Sequence, residues 1–373
     1  MIYLDNAATT KQDDTVLDAM LPFMKESFYN PSSTYEGARK VRNQIEESRN
    51  KIASFINADP GSVYFTSGGT EADNWAVRTA IKSRSGRHII SSSYEHPAVY
   101  NTLKDLESQG YGITYIDPDN NGRIDPDKIF DAVREDTVLI SVMHANNETG
   151  NINPIDEIGK TAHEKNILFH TDAVQSIGHI RIDVRKSNID LLTASAHKIY
   201  GPKGAGFLYV SPGIKATNLL FGGSQELSRR PGTENVPAII GFGKAVEILD
   251  RELEKDVEHD LALKTRLISL LKEKIPDIRV NGSGDMLPNI LNVTFPQMLS
   301  ENLLFLASLK GICLSAGSAC ASGAVTASRT LTSMGLSSDL ALRTIRFSIG
   351  RYNSIEDIDT AAAVIEEIIN NRR

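Results

Sequence analysis

Cysteine is nearly absent: only Cys313 and Cys320 occur in 373 residues. Two thiols cannot make a disulfide framework, and so few suit a reducing compartment, so the chain is expected to be cytoplasmic. Long apolar runs are missing too. Stretches such as Ile365 to Ile369 are broken by Glu366 and Glu367, so no bilayer span is expected. The first residues lack a basic segment followed by an apolar one, because Asp5 and Asn6 intervene, and no signal peptide is expected. Nor is there a basic excess. Lys and Arg number 40 against 47 Asp and Glu, a net charge of -7, which argues against direct nucleic-acid binding. No internal repeat or low-complexity segment stands out.

What is present is strand–helix alternation over a length that suits two domains. Short apolar or β-branched runs lie at Val63–Thr66, His88–Ser92, Ile113–Ile116, Val138–Val142, Ile167–Thr171, Asp190–Ala194 and Gly206–Val210. Helical patterns between them include Ala72–Ile81, Pro97–Ser108, Pro126–Arg134 and Pro154–Lys165. Such spacing predicts an α/β fold with a mainly parallel sheet covered by helices. Ahead of these strands, Val41, Ile45, Ile52 and Phe55 mark one face of a long helix. After about Leu249 the pattern changes. A charged stretch, Asp250 to Asp260, precedes an amphipathic helix with Leu263, Leu267, Leu270 and Leu271. Short strands at Ile290–Phe295, Ile312–Ser315 and Ile345–Ser348 and helices at Glu301–Leu309 and Ile355–Ile369 then read as a smaller α+β domain, with Ser354 as the last N-cap.

Polar groups gather at the predicted strand ends. Thr66-Ser67-Gly68-Gly69-Thr70-Glu71 follows a strand and opens a helix, so backbone N–H groups and the Thr70 hydroxyl can hold a phosphate. A dinucleotide fingerprint, G-x-G-x-x-G, is absent there. Asp172 ends another strand, where an acid either caps the next helix or pairs with a protonated pyridine nitrogen. Lys198, in Ser195-Ala196-His197-Lys198, lies where α/β sheets bind ligands and can attach covalently to a carbonyl. Alone, it would read as a surface lysine. His96 heads a helix and could stack on a flat ring, and Asn147 sits in Asn146–Gly150, a sequence equally suited to a turn. The set is more specific than any member: several strands end in groups fit for one flat, phosphorylated, electron-accepting ring.

These motifs resemble the cysteine desulfurases of the class V aminotransferase group. The resemblance also takes in Tyr3–Thr10, Asn30–Ser33, Arg230, Gly232–Asn235, Ser315–Cys320 and Ile345–Arg351, and so runs through the whole chain in order. It implies a homodimeric fold-type I architecture dependent on pyridoxal 5'-phosphate. A large domain would span residues 14–255, and residues 1–13 with 256–373 would form the small one. It further implies that Lys198 binds the cofactor, Asp172 faces the pyridine nitrogen, His96 stacks on the ring, and Gln175 approaches its phenolic oxygen. Gly69, Thr70, Ser195 and His197 would hold the phosphate, with Thr233 reaching the phosphate of the partner subunit. Asn147 and Arg346 would hold the carboxylate of the substrate, L-cysteine; Arg346 brings a fork that matches a carboxylate.

Cys320 is the expected sulfur acceptor. Small residues and glycines surround it, whereas Cys313 lies between Ile312 and Leu314 and reads as packing. Its thiolate would attack the substrate's Sγ, leaving alanine and an enzyme persulfide for a sulfur-acceptor protein such as an iron–sulfur scaffold. The chain departs from the family pattern at Tyr35, at Ser224, Leu227, Ser228 and Pro231, and through Ala324–Arg329. It also ends at Arg373, without the longer tail that some relatives use to dock a scaffold. A selenocysteine lyase or an aminotransferase of the same fold is the alternative within this chemistry. A noncatalytic scaffold or sulfur carrier is the alternative outside it.

Overall fold

The computed structural model describes residues 1–316 and 326–371. Its centre is a seven-stranded sheet in the order Val63–Thr66, Gly206–Val210, Leu191–Ser195, Leu168–Asp172, Thr137–Ser141, His88–Ser92, Gly112–Ile116. Gly206–Val210 runs antiparallel to both neighbours, and the pairings from Leu191–Ser195 to Gly112–Ile116 are parallel. Every strand run expected for this sheet is present.

Their apolar character has a simple cause. Successive side chains on a strand point to opposite faces, and here both faces are covered. Ile89, Leu139, Leu168, Leu191 and Leu208 pack on one side with Trp75 and Leu103. Their sequence neighbours Ile90, Ile140, Phe169, Leu192 and Phe207 pack on the other with Val41, Ile45 and Ile52. Helix Gly69–Ser83 covers the first face, and helix Glu36–Phe55 contributes to the second.

A second core lies around the antiparallel sheet of Thr344–Ser348, Ile290–Thr294 and Arg279–Asn281. Leu4, Leu267, Phe295, Phe347, Ile358 and Ile365 fill it. Strand Ile2–Tyr3 pairs in parallel with Ile312–Cys313, tying the N-terminus to this part of the chain. Ser354 caps the final helix, Ile355–Asn370, in a reciprocal capping box with Asp357.

One expectation is corrected. The charged stretch after Leu249 does not separate two elements, because helix Val236–Lys274 runs through it without a break. Leu249, Leu253, Asp256, Asp260, Leu263 and Leu267 are buried at helical spacing, so a continuous inner face persists beneath the charged surface. The expected boundary at residues 255 and 256 therefore falls inside a helix. Among the described residues no helix is long and apolar enough to cross a membrane.

Candidate active site

The parallel strands point their carboxyl ends at one cavity of about 260 Å³, lined by Ala8, Gly69, Thr70, Asp73, His96, Met143, Asn147, Asp172, Val174, Gln175, Ser195, His197 and Lys198. All the expected cofactor-binding residues except Thr233 meet there, with Asn147 of the expected substrate pair. Asp172 and Ser195 end their strands, and Lys198 lies on the short 3-10 turn Ala196–Lys198 that follows. Gly69 and Thr70 open a helix, and His96 is the N-cap of helix Pro97–Ser108.

Close approach explains the glycines. A Cβ on Gly69 would lie 2.9 Å from the Val174 side chain, and one on Gly206 would lie 2.7 Å from the Gly68 Cα. Without side chains, the helix start reaches the sheet edge and turns its free N–H groups toward the cavity. With Thr70, Ser195 and His197 beside it, this end forms an anion cradle.

The opposite end gathers charge. Donor atoms of Asp73, His96 and Asp172 all lie within 4.8 Å of one another. Asp172 accepts a bond from the Val174 N–H at 2.9 Å. Burial raises its carboxyl, and the nearby His96 and Lys198 oppose that rise. Burial also depresses the Lys198 ammonium, and Arg346 adds to the effect against Asp172 and Asp5, so the amine falls to about 8. A lysine in that range loses its proton far more readily than a surface lysine, as covalent attachment to a carbonyl requires. Lys198 Nζ donates to the backbone oxygens of Ala7 and Ala8 at 2.5 and 2.8 Å, and Gln175 Nε2 donates to Ala7 at 2.9 Å. The N-terminal segment thus forms a wall of the site. Thr10 fixes the lysine turn from its other side through bonds to His197 and Tyr200.

Arg346 does not line this cavity. It is buried next to it, donating from Nη1 to the Asn147 backbone oxygen and from Nη2 to Asp5 Oδ1, both at 2.8 Å. Its Nε is buried with no partner among the described residues. Thr233 is exposed and lies at a separate cavity with Ser67, Gly204, Glu226 and Arg230. Cys320 lies outside the described residues. The described residues that flank its segment are anchored beside the site. Ser315 accepts a backbone bond from Arg346 at 2.7 Å, and Ser328 Oγ donates to Glu148 Oε2 at 2.5 Å.

Three contributors escaped the sequence reading. Asp73 stands one turn after Gly69 on the same helix face, and its i+4 spacing from the glycine was the available signal. Asp5 pairs with Arg346, and Glu95 is buried directly before His96.

An anion cradle, a buried acid and a readily deprotonated lysine facing one cavity fit pyridoxal phosphate: cradle for phosphate, acid for ring nitrogen, amine for aldehyde. The comparisons agree. Residues 2–360 match the family model described as Aminotransferase class-V. The chain belongs to this family of pyridoxal-phosphate-dependent enzymes, with the fold-type I architecture. Within the family it groups with the cysteine desulfurases. A cysteine desulfurase IscS from Methanosarcina thermophila is 48% identical over 375 residues, covering 100% of this chain and 93% of its own. The protein of that name from Dictyoglomus turgidum is 45% identical, covering 100% and 95%. A solved NifS-like protein superposes with a TM-score of 0.93 at 35% identity over 99% of each chain. The structure of SspA in complex with cysteine gives 0.85 at 38% identity, over 95% of this chain and 100% of that one.

Proposed function

We propose that this enzyme removes sulfur from L-cysteine, releasing L-alanine and leaving the sulfur as a persulfide on Cys320. The observation that carries the reading is the meeting of Lys198, Asp172 and His96 at the cradle end of the sheet, beside the anchored flanks of the Cys320 segment. When bound, pyridoxal phosphate supplies an electron-accepting ring that stabilises negative charge at the substrate's α-carbon.

The chain's own residues then have distinct tasks. Lys198 would hold the cofactor and move the substrate's α-proton; its lowered pKa suits it to act as a base near neutral pH. Asp172 would keep a proton on the ring nitrogen, and His96 would cover the ring. Gln175 would meet the phenolic oxygen. Gly69, Thr70, Ser195 and His197 would hold the phosphate, completed by Thr233 of the partner subunit in a homodimer. The exposure of Thr233, away from its own chain's cavity, supports this last role. Asn147 and Arg346 bind the substrate carboxylate, and the Arg346 Nε, without a partner among the described residues, is a donor for it.

The sulfur step balances without an external oxidant. The Cys320 thiolate forms an S–S bond to the substrate sulfur as the substrate's C–S bond breaks. The electron pair from that bond stays on carbon and takes a proton, giving alanine. The persulfide then passes to a sulfur-acceptor protein, of which an iron–sulfur scaffold is one kind. Cys320→Ala tests the assignment. Alanine formation from cysteine is expected to fall to background while the cofactor's absorbance band remains; full alanine formation would remove Cys320 from the reaction.

A further inference from the structure

We propose that Arg329 is a positioning residue for His96, clamping the turn that aims the imidazole into the cavity. The proposal rests on the reading of His96 as a group that faces the cofactor. Arg329 belongs to the stretch where this sequence departs from its family, and it stands nine residues beyond Cys320.

Two contacts bracket the imidazole. Arg329 Nη2 donates to the Glu95 backbone oxygen at 2.6 Å, the carbonyl of the peptide bond that leads into His96. The guanidinium carbon also lies 3.4 Å from the centroid of the Tyr100 ring. Tyr100 is one helical turn beyond His96 and donates its N–H to the His96 carbonyl at 3.0 Å. One planar side chain thus holds the backbone before His96 and the turn after it.

The ring is tied to that backbone. His96 Nδ1 accepts from the Ala98 N–H at 3.2 Å as the helix N-cap, which places the neutral ring's proton on Nε2. Any shift of the turn is therefore passed to the ring. Glu95 stiffens the same point, because its Oε1 accepts from Ser92 Oγ and from the Met143 N–H. Next to Arg329, Ser328 bonds Glu148, whose neighbour Asn147 lines the cavity. The two adjacent residues hold both polar turns of the site. Charge acts in the same sense: burial depresses the His96 imidazole, and Lys198 and Arg329 reinforce this against Asp172. A lysine could supply the charge at position 329, but not a flat fork that stacks on Tyr100 while donating to a carbonyl.

The test is a double-mutant cycle on holoenzyme, with Arg329→Met, Arg329→Lys, His96→Ala and the combinations. Readouts are kcat and KM for L-cysteine and the circular dichroism of the bound cofactor's visible band. Arg329→Met is expected to lower kcat roughly 10-fold with KM changed less than about twofold, and to weaken the dichroic band. Arg329→Lys should resemble Arg329→Met. In the His96→Ala background, Arg329→Met should change kcat by less than about twofold, because both act through one ring. Independent, multiplying effects would overturn the proposal, as would a wild-type dichroic band and kcat in Arg329→Met. If His96→Ala itself leaves both readouts unchanged, the reading of His96 fails instead. Should Arg329→Met not fold, Tyr100→Leu removes the other half of the clamp and must show the same non-additivity with His96→Ala.

Discussion

Two buried charged regions of this molecule behave in opposite ways. At the first, Arg49 meets Glu226 beneath the antiparallel edge of the main sheet. Its Nη1 and Nη2 reach the two carboxylate oxygens at 2.8 Å each, and Nη1 also bonds the Val63 carbonyl at 2.7 Å. Glu226 in turn accepts from the Phe65 N–H at 2.8 Å. Burial opposes the charge on Arg49, but the bonds and charges of Glu226 and Glu46 outweigh it, and the guanidinium is held above its usual range. At the second, Lys198 and Asp172 face a cavity, and burial moves both toward their neutral forms. In the first region the charges complete each other. In the second they surround space shaped for something else. Burial of charge alone does not mark a site; charge left facing a polar cavity does.

The comparison can be broken by substitution. Lys198→Ala should cause the largest loss, roughly 10⁴-fold in alanine formation, with the cofactor's visible band lost and the melting temperature of the apoprotein little changed. Arg49→Met should do the reverse. Leaving Glu226 buried without its partner is expected to cost about 3–5 kcal/mol in urea denaturation. If Arg49→Met instead removed turnover at unchanged stability, the two regions would not differ as described. Asp172→Asn preserves shape and removes the charge proposed to face the ring nitrogen, and should lower kcat by roughly 100-fold.

A further effect concerns pH. Burial raises the Glu95 carboxyl to about 8, against bonds from Ser92 and Met143 that favour its charged form. Between its ordinary value of 4.5 and about 8, the folded protein holds a proton that the unfolded chain releases. Stability from this group is therefore full below the lower value and lost as pH rises through the window. Glu95→Gln should flatten that fall in denaturation curves run across the window. An unchanged pH slope in Glu95→Gln would show that Glu95 is ionised in the native state.

The main sheet was readable because a strand buried on both faces becomes an apolar run, as in His88–Ser92 and Leu191–Ser195. Site residues at strand ends were readable for a related reason, since Asp172 and Lys198 interrupt or follow such runs. The continuity of helix Val236–Lys274 was not legible because its solvent face is dense in charge, which masks the inner stripe. Asp73 was easily passed over for the opposite reason: an acid within a helix reads as a solvated residue, yet it is buried at the cavity.

By itself the sequence determined the run of strands that makes the main sheet and the strand-end acid and lysine, because period, turn chemistry and neighbouring residues are local properties. Only the tertiary structure decided that the N-terminal carbonyls of Ala7 and Ala8 hold Lys198, that Asp5 engages Arg346, and that Arg329 grips the turn of His96. Each of these pairs joins residues 190 or more positions apart. No local pattern encodes such a pairing, because it exists only once the sheet, the second core and the N-terminal strand have packed together.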